Sequence, residues 1–186
     1  MRILKGKFKG KKIYTLDREF LRPTTSKTRE AIFNILENNV NFSHINFSEL
    51  TFLEIFCGSA IISFEAYSRG FKNIILIDQS YEIQNLFNKN IKNFFQEDFT
   101  FIKCDALRIP AHIAKTDICF LDPPYNKDYA TSLLSDLHQK KLLNDKAIVI
   151  IEVSKNTHIN YNDEYILILE KTYGNSKLVF LSYDLG

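Results

Sequence analysis

The chain has 186 residues, 24 Lys plus Arg against 22 Asp plus Glu, 45% hydrophobic residues, six Gly, four Pro and three Cys, which excludes the disordered, collagen-like and mucin-like classes. Cys57, Cys104 and Cys119 are odd in number, lack C-x-x-C spacing and have no His at zinc-ligand spacing, so neither a disulfide framework nor a metal site is expected. Apolar runs stay far below the ~18 residues of a membrane helix, and the first residues lack a signal-peptide core, so a cytoplasmic protein without membrane contact is expected.

Charge is concentrated at the start: the first 30 residues carry +7 and the rest −5. Such an arm fits a polyanion partner, because each Lys or Arg near a phosphate releases counterions, although a charge run alone also reads as a solvated face. Met1 to Tyr14 places Lys5, Lys7, Lys9 and Lys11 on one parity with Gly6 and Gly10 as turn points, predicting a short hairpin with one basic face. Pro23 then stops any helix, and Thr25 or Ser26 can cap a new one with Ala31, Ile32, Ile35 and Leu36 at helical spacing. Arg22, Thr24, Lys27 and Arg29 thus fall around a helix N-terminus, an end that attracts anions. The expected organisation is a basic extension over residues 1–40 and a main domain over 41–186, with the Asn- and Ser-rich stretch Asn38 to Leu50 as a loose connection.

From Thr51 onward apolar runs alternate with helical patterns. Strands are predicted at Thr51–Phe56, Asn73–Ile77, Phe99–Cys104, Asp117–Leu121 and Lys146–Val153, and helices at Ala60–Arg69, Tyr81–Phe94 and Asp128–Lys141. This rhythm implies a doubly wound, mostly parallel α/β sheet of Rossmann-like type. Tyr165–Thr172 and Lys177–Tyr183, joined through Gly174, read as an antiparallel hairpin on the sheet edge.

Open α/β sheets bind ligands beyond the carboxyl ends of their strands. The first strand ends in Glu54-Ile55-Phe56-Cys57-Gly58-Ser59-Ala60, a tight turn with Gly58 at its centre. The second ends in Asp78, placed to accept from ribose hydroxyls, and the third in Asp105-Ala106, placed to meet an adenine amine. A strand-terminal Asp that merely caps the next helix would look the same. The turn lacks the glycines of a dinucleotide site, and Glu54 repels a diphosphate, so a cationic, phosphate-free adenosine cofactor fits best: S-adenosylmethionine.

The fourth strand ends in Asp122-Pro123-Pro124-Tyr125. Two prolines stiffen the loop and remove two N–H donors, leaving the Asp122 carboxylate and the Pro123 carbonyl as acceptors for an amino group whose base stacks on Tyr125. The segments LRPTTSKTREAIFNIL, EIFCGSAIISFEAYSRG, LIDQS and FLDPPY, in this order, resemble the bacterial 16S ribosomal RNA guanine-N2 methyltransferase family over nearly the whole chain. The resemblance implies class I methyltransferase chemistry, with the Glu54–Ser59 turn, including Phe56 and Gly58, against the methionyl part of S-adenosylmethionine, Asp78 on the ribose, and Asp105 with Ala106 on the adenine. It further implies Asp122 to Tyr125 on the target guanine, and Lys7, Lys9, Arg22, Thr24, Lys27 and Arg29 on 16S RNA of the small subunit or an assembly particle, the protein acting as a monomer. Glu54 stands where that family usually has Asp, and Ala60 and Ser63 where it has Gly. DPPY equally permits adenine-N6 or cytosine-N4 methylation, and a degenerate fold kept for RNA binding is the non-enzymatic alternative.

Overall fold

The computed structural model describes residues 1–16, 25–38, 46–94, 96–124 and 129–186. In chain order the elements are α1 (Ser26–Asn38), β1 (Thr51–Ile55), α2 (Ile61–Ser68), β2 (Asn73–Asp78), α3 (Tyr81–Ile91), β3 (Phe99–Lys103), β4 (Thr116–Leu121), α4 (Tyr129–Gln139), β5 (Leu143–Ser154), β6 (Tyr165–Tyr173) and β7 (Ser176–Tyr183). They build one seven-stranded sheet of order β3-β2-β1-β4-β5-β7-β6. β1 to β5 pair in parallel, while β7 runs antiparallel to both β5 and β6. The expected fold class is the observed one, and the terminal hairpin lies on the sheet edge with β7 inward. β5 begins three residues before its predicted start, because Thr116 pairs with Leu143 across a register shift and Lys146 takes a positive φ of 61°.

Alternate residues of the parallel strands face opposite cores. Phe52, Leu76, Phe120 and Ile150 pack beneath α1, α2 and α3, whereas Leu53, Ile77, Leu121 and Ile151 pack beneath α4. Ile3 and Ile13 of the N-terminal segment join the first core, so the basic extension is packed onto the sheet's helical layer. α2 is sandwiched between the sheet and this segment, and all eight of its residues are buried, which explains an apolar pattern that lacks a polar face.

The predicted basic hairpin is present in short form: Arg2 and Lys12 bridge in antiparallel sense, Ile3 N donates to Lys11 O at 3.1 Å and Ile13 N to Met1 O at 2.9 Å, and the turn between the two arms docks by its backbone. Lys7 N donates to Ser68 O at 2.7 Å, Phe8 N to Ser68 Oγ at 2.9 Å, and Ser68 Oγ to Lys5 O at 2.6 Å. Gly6, at φ +85°, is required by this contact, since a Cβ there would lie 1.8 Å from Ser68 O. Thr25 is the helix cap of the two candidates, its Oγ1 accepting from Thr28 N at 3.1 Å. No helix among the described residues is long and apolar enough to cross a membrane.

Candidate active site

The strand order reverses between β1 and β4, the crevice where open α/β sheets take ligands. Backbone bonds tie the strand ends together there: Cys57 N donates to Ile77 O at 3.2 Å and Asp122 N to Ile55 O at 3.4 Å. The turn after β1 is unusual in conformation, with Phe56, Gly58 and Ala60 at φ of 62°, 48° and 57°. Gly58 N donates to Asp78 Oδ2 at 3.2 Å, so the residues predicted to cradle a nucleoside are in direct contact. Asp78 Oδ1 also accepts from Ser80 N at 2.9 Å. Each carboxylate oxygen has a second lone pair, which leaves acceptors for a pair of hydroxyls. Asp105 is exposed and caps the short 3-10 turn Ala106–Arg108 through Leu107 N at 3.0 Å, with Ala106 buried beside it.

Glu54 is 3% exposed and points into the first turn of α2. Its Oε2 accepts from Ser63 N at 2.9 Å and from Ser63 Oγ. Ala60, the residue at the cap position, offers no side-chain bond, so Glu54 caps α2 from the neighbouring strand. Glu54 and Ser63 are in direct contact, so two of the three departures named from the sequence, those at Glu54 and Ser63, form one pair. Burial, with Asp78 adding like charge, pushes the Glu54 carboxyl up to about 8. No cation among the described residues is ion-paired with it. A buried carboxylate that lacks a countercharge fits a ligand that brings one, and this is the observation by which the turn suits a sulfonium or ammonium group. Burial likewise raises the Cys57 thiol, which argues against a nucleophile there. Ser59 is half-buried in the same turn, and Phe56 stacks on Tyr129 of α4 at 5.9 Å between ring centroids.

Asp122 is half-buried, Pro123 buried and Pro124 exposed, so the acceptor loop stands at the lip beside the Gly58 turn. Tyr125, Arg22 and Thr24 lie outside the described residues. Lys7, Lys9 and Lys27 are exposed. Arg29 does not suit the phosphate grip expected of it: it is 2% exposed and donates to Arg2 O at 3.1 Å and Ser26 Oγ at 3.1 Å, with Glu65 3.8 Å away. It tethers the N-terminal segment to α1. Sequence reasoning missed Glu65 and Glu152, which are 0% and 4% exposed. Glu152 lies one step beyond the Leu121–Ile151 pair, beside the strand that carries Asp122. The available signal was an acid inside an apolar run, IISFEAY and IVIIEV.

A family model described as conserved hypothetical protein 95 matches residues 1–182. Ribosomal RNA small subunit methyltransferase D of Haemophilus influenzae is 30% identical over 179 residues, covering 94% of this chain and 89% of the relative. The protein of the same name from Escherichia coli K12 is 26% identical, covering 82% and 74%. Among solved structures, one from Haemophilus influenzae described as a candidate methylase superposes with a TM-score of 0.80 at 25% identity, covering 98% of both chains. A candidate methyltransferase from Escherichia coli shares the fold with a TM-score of 0.86 at 23% identity, covering 100% and 99%.

Proposed function

Since the chain belongs to the family described as conserved hypothetical protein 95, whose relatives here include small-subunit ribosomal RNA methyltransferases, we propose that it methylates the exocyclic N2 amine of a guanine in 16S ribosomal RNA. The observation that carries the reading is the position of Asp122-Pro123-Pro124: it follows β4, the strand beside β1, and is hydrogen-bonded to the end of β1 through Asp122 N, at the same end of the sheet as the turn that carries Gly58. When bound, S-adenosylmethionine supplies an electrophilic methyl on a sulfonium. Glu54, whose carboxyl titrates near 8 in the free protein, would ionise beside such a cation, Asp78 would hold the ribose and Asp105 would receive the adenine amine.

The guanine N2 lone pair is delocalised into the ring and weakly nucleophilic. The Asp122 carboxylate and Pro123 carbonyl accept its two hydrogens, which fixes the amine's direction and favours its rehybridisation as the new bond forms. Positioning supplies most of the rate. As the bond from N2 to the methyl carbon forms, the carbon–sulfur bond would break and S-adenosylhomocysteine would leave; the methylated amine is acidic, so its proton passes to the Asp122 carboxylate or to water after attack, and Asp122 need not act as a base beforehand. A base inside a helix cannot reach this lip, so the target is extruded or already unpaired, with Tyr125 as its stacking partner. The substrate is the small subunit or an assembly particle in the cytoplasm, met by a monomer.

Transfer of labelled methyl from S-adenosylmethionine to ribosomal RNA and to small subunits lacking the modification, followed by nucleoside analysis, tests the proposal. N2-methylguanosine is expected. N6-methyladenosine would overturn the choice of base, and absence of transfer to either substrate by cofactor-binding protein would overturn the enzymatic reading.

A further inference from the structure

Among the described residues, the contacts between lysines and aromatic rings gather around α3 and the N-terminal segment, whereas the one arginine contact, Arg69 over Phe33, is interior. Lys7 and Lys11 lie over Phe8 at 5.5 and 4.9 Å, Lys12 and Lys89 over Tyr14 at 5.4 and 4.0 Å, and Lys103 over Tyr81 at 3.0 Å. Two of these rings are open to solvent, Tyr14 at 41% and Tyr81 at 69% exposure. Both belong to the α3 surface. Tyr14 is pinned to α3 by reciprocal bonds with the buried Asn90, its N donating to Oδ1 at 2.9 Å and its O accepting from Nδ2 at 3.0 Å. Tyr81 is the first residue of α3, three positions after Asp78, and Asp78 pairs in register with Lys103. The flank therefore begins at the cofactor crevice and ends on the docked basic segment.

We infer that this flank, from Tyr81 along α3 to Tyr14, is a track for single-stranded RNA flanking the methylated base. The inference rests on the RNA methyltransferase reading and names where the strand runs. Stacking platforms interleaved with cations are what an unpaired strand requires, since every base has a face to stack and every nucleotide a phosphate to neutralise. Five lysines rest on these rings, Lys7, Lys11, Lys12, Lys89 and Lys103, with Lys92 at the end of α3, against the acids Glu82, Glu97 and Asp98, of which Asp98 accepts from Tyr67 Oη. Helix positions 81 and 89, which bear Tyr81 and the lysine over Tyr14, are ~12 Å apart along the axis at ~1.5 Å per residue and about 80° apart around it at ~3.6 residues per turn, so a strand joining them crosses α3 obliquely over at least the length of three to four stacked nucleotides at ~3.4 Å each. A lysine resting on an exposed ring exchanges that contact for a phosphate while the ring takes a base, so the free protein holds both partners ready. The track also replaces the interior Arg29 as the source of grip.

The test is binding of a fluorescent, unstructured oligoadenylate by the full chain, with S-adenosylmethionine affinity and N2-methylguanosine formation measured alongside. Tyr14→Ala should weaken RNA binding by roughly five- to a hundredfold with cofactor affinity unchanged, and Tyr14→Phe should bind within about twofold of wild type. Lys12→Gln with Lys89→Gln should reduce the slope of log affinity against log salt by ~1.4, or ~0.7 for each phosphate that is no longer neutralised. Wild-type affinity and salt slope in Tyr14→Ala and Tyr81→Ala, or no oligoadenylate binding by the wild type, would overturn the track whatever the methylation assay shows. Loss of affinity in the Tyr→Ala variants beside a wild type that makes no N2-methylguanosine would uphold the track and overturn the target assignment.

Discussion

The two ends of α2 each meet a buried glutamate, and the two are treated in opposite ways. At the far end Glu65, 0% exposed, is surrounded by donors: Arg69 at 3.0 Å, Arg29 at 3.8 Å, and the backbone N–H groups of Leu4 and Lys5 at 2.8 and 3.0 Å. At the near end Glu54, equally deep, has among the described residues only the amide and hydroxyl of Ser63, with Asp78 adding like charge. A buried ion is tolerable when paired and costly when not. The paired one is a fixed joint that holds the N-terminal segment on the fold. The unpaired one stores an unmet demand for positive charge at the place where the strand ends meet, as perturbed carboxyls at functional sites do.

The contrast breaks most sharply at Glu65. Glu65→Ala leaves the interior Arg29 with no ion pair among the described residues, leaves Arg69 with Glu37 alone, and frees the docked segment, so unfolding should lose about 3–5 kcal/mol, with a melting temperature lower by roughly 10 °C for a chain of this size. Gly6→Ala attacks the same joint from the other side. Its Cβ would meet Ser68 O at 1.8 Å, and about 2 kcal/mol of stability should go with the segment's docking, seen as faster hydrogen exchange over residues 1–14 while S-adenosylmethionine still raises the melting temperature.

At the near end the sign of the effect depends on pH. The folded Glu54 carboxyl titrates near 8 against an ordinary 4.5, so the folded state holds its proton more tightly than the unfolded chain. That stability is fully present below about 4.5 and is lost as pH rises through about 8. Melting temperatures of the ligand-free protein should therefore fall between about pH 5 and 9, and Glu54→Gln should flatten the slope. The smallest effect is expected in the turn itself: Ala60 holds φ +57° where glycine is unstrained, and Ala60→Gly should raise stability by about 1 kcal/mol in a denaturant titration.

The sheet was legible because β1, β2 and β4 are apolar on both faces and end in turns or acids, which marks buried parallel strands and their ligand-facing tips together. Gly58, Asp78 and Asp122 followed from those tips. The joint at Glu65 was only partly legible: Arg69 stands four positions on along the same helix, but the backbone groups 60 and 61 positions away that complete the joint leave no side-chain signature. Arg29 was misread as a surface cation through its neighbour Lys27, although it shares a helical stripe with Ile32, Phe33 and Leu36 that marks it as inward-facing. The hairpin of the first segment was legible from its alternating lysines, of which Lys5, Lys7 and Lys9 are exposed, but the docking of its turn on Ser68 was not, because that contact is made by backbone groups.

The central claim is that Glu54 waits for a cation. Calorimetry of S-adenosylmethionine binding near pH 7, repeated in buffers of different ionisation enthalpy, measures it directly. A cation beside Glu54 favours the ionised carboxyl, so the wild type should release a proton on binding that Glu54→Gln does not, and the variant should bind more weakly. Equal proton exchange and equal affinity in the two proteins would contradict the account.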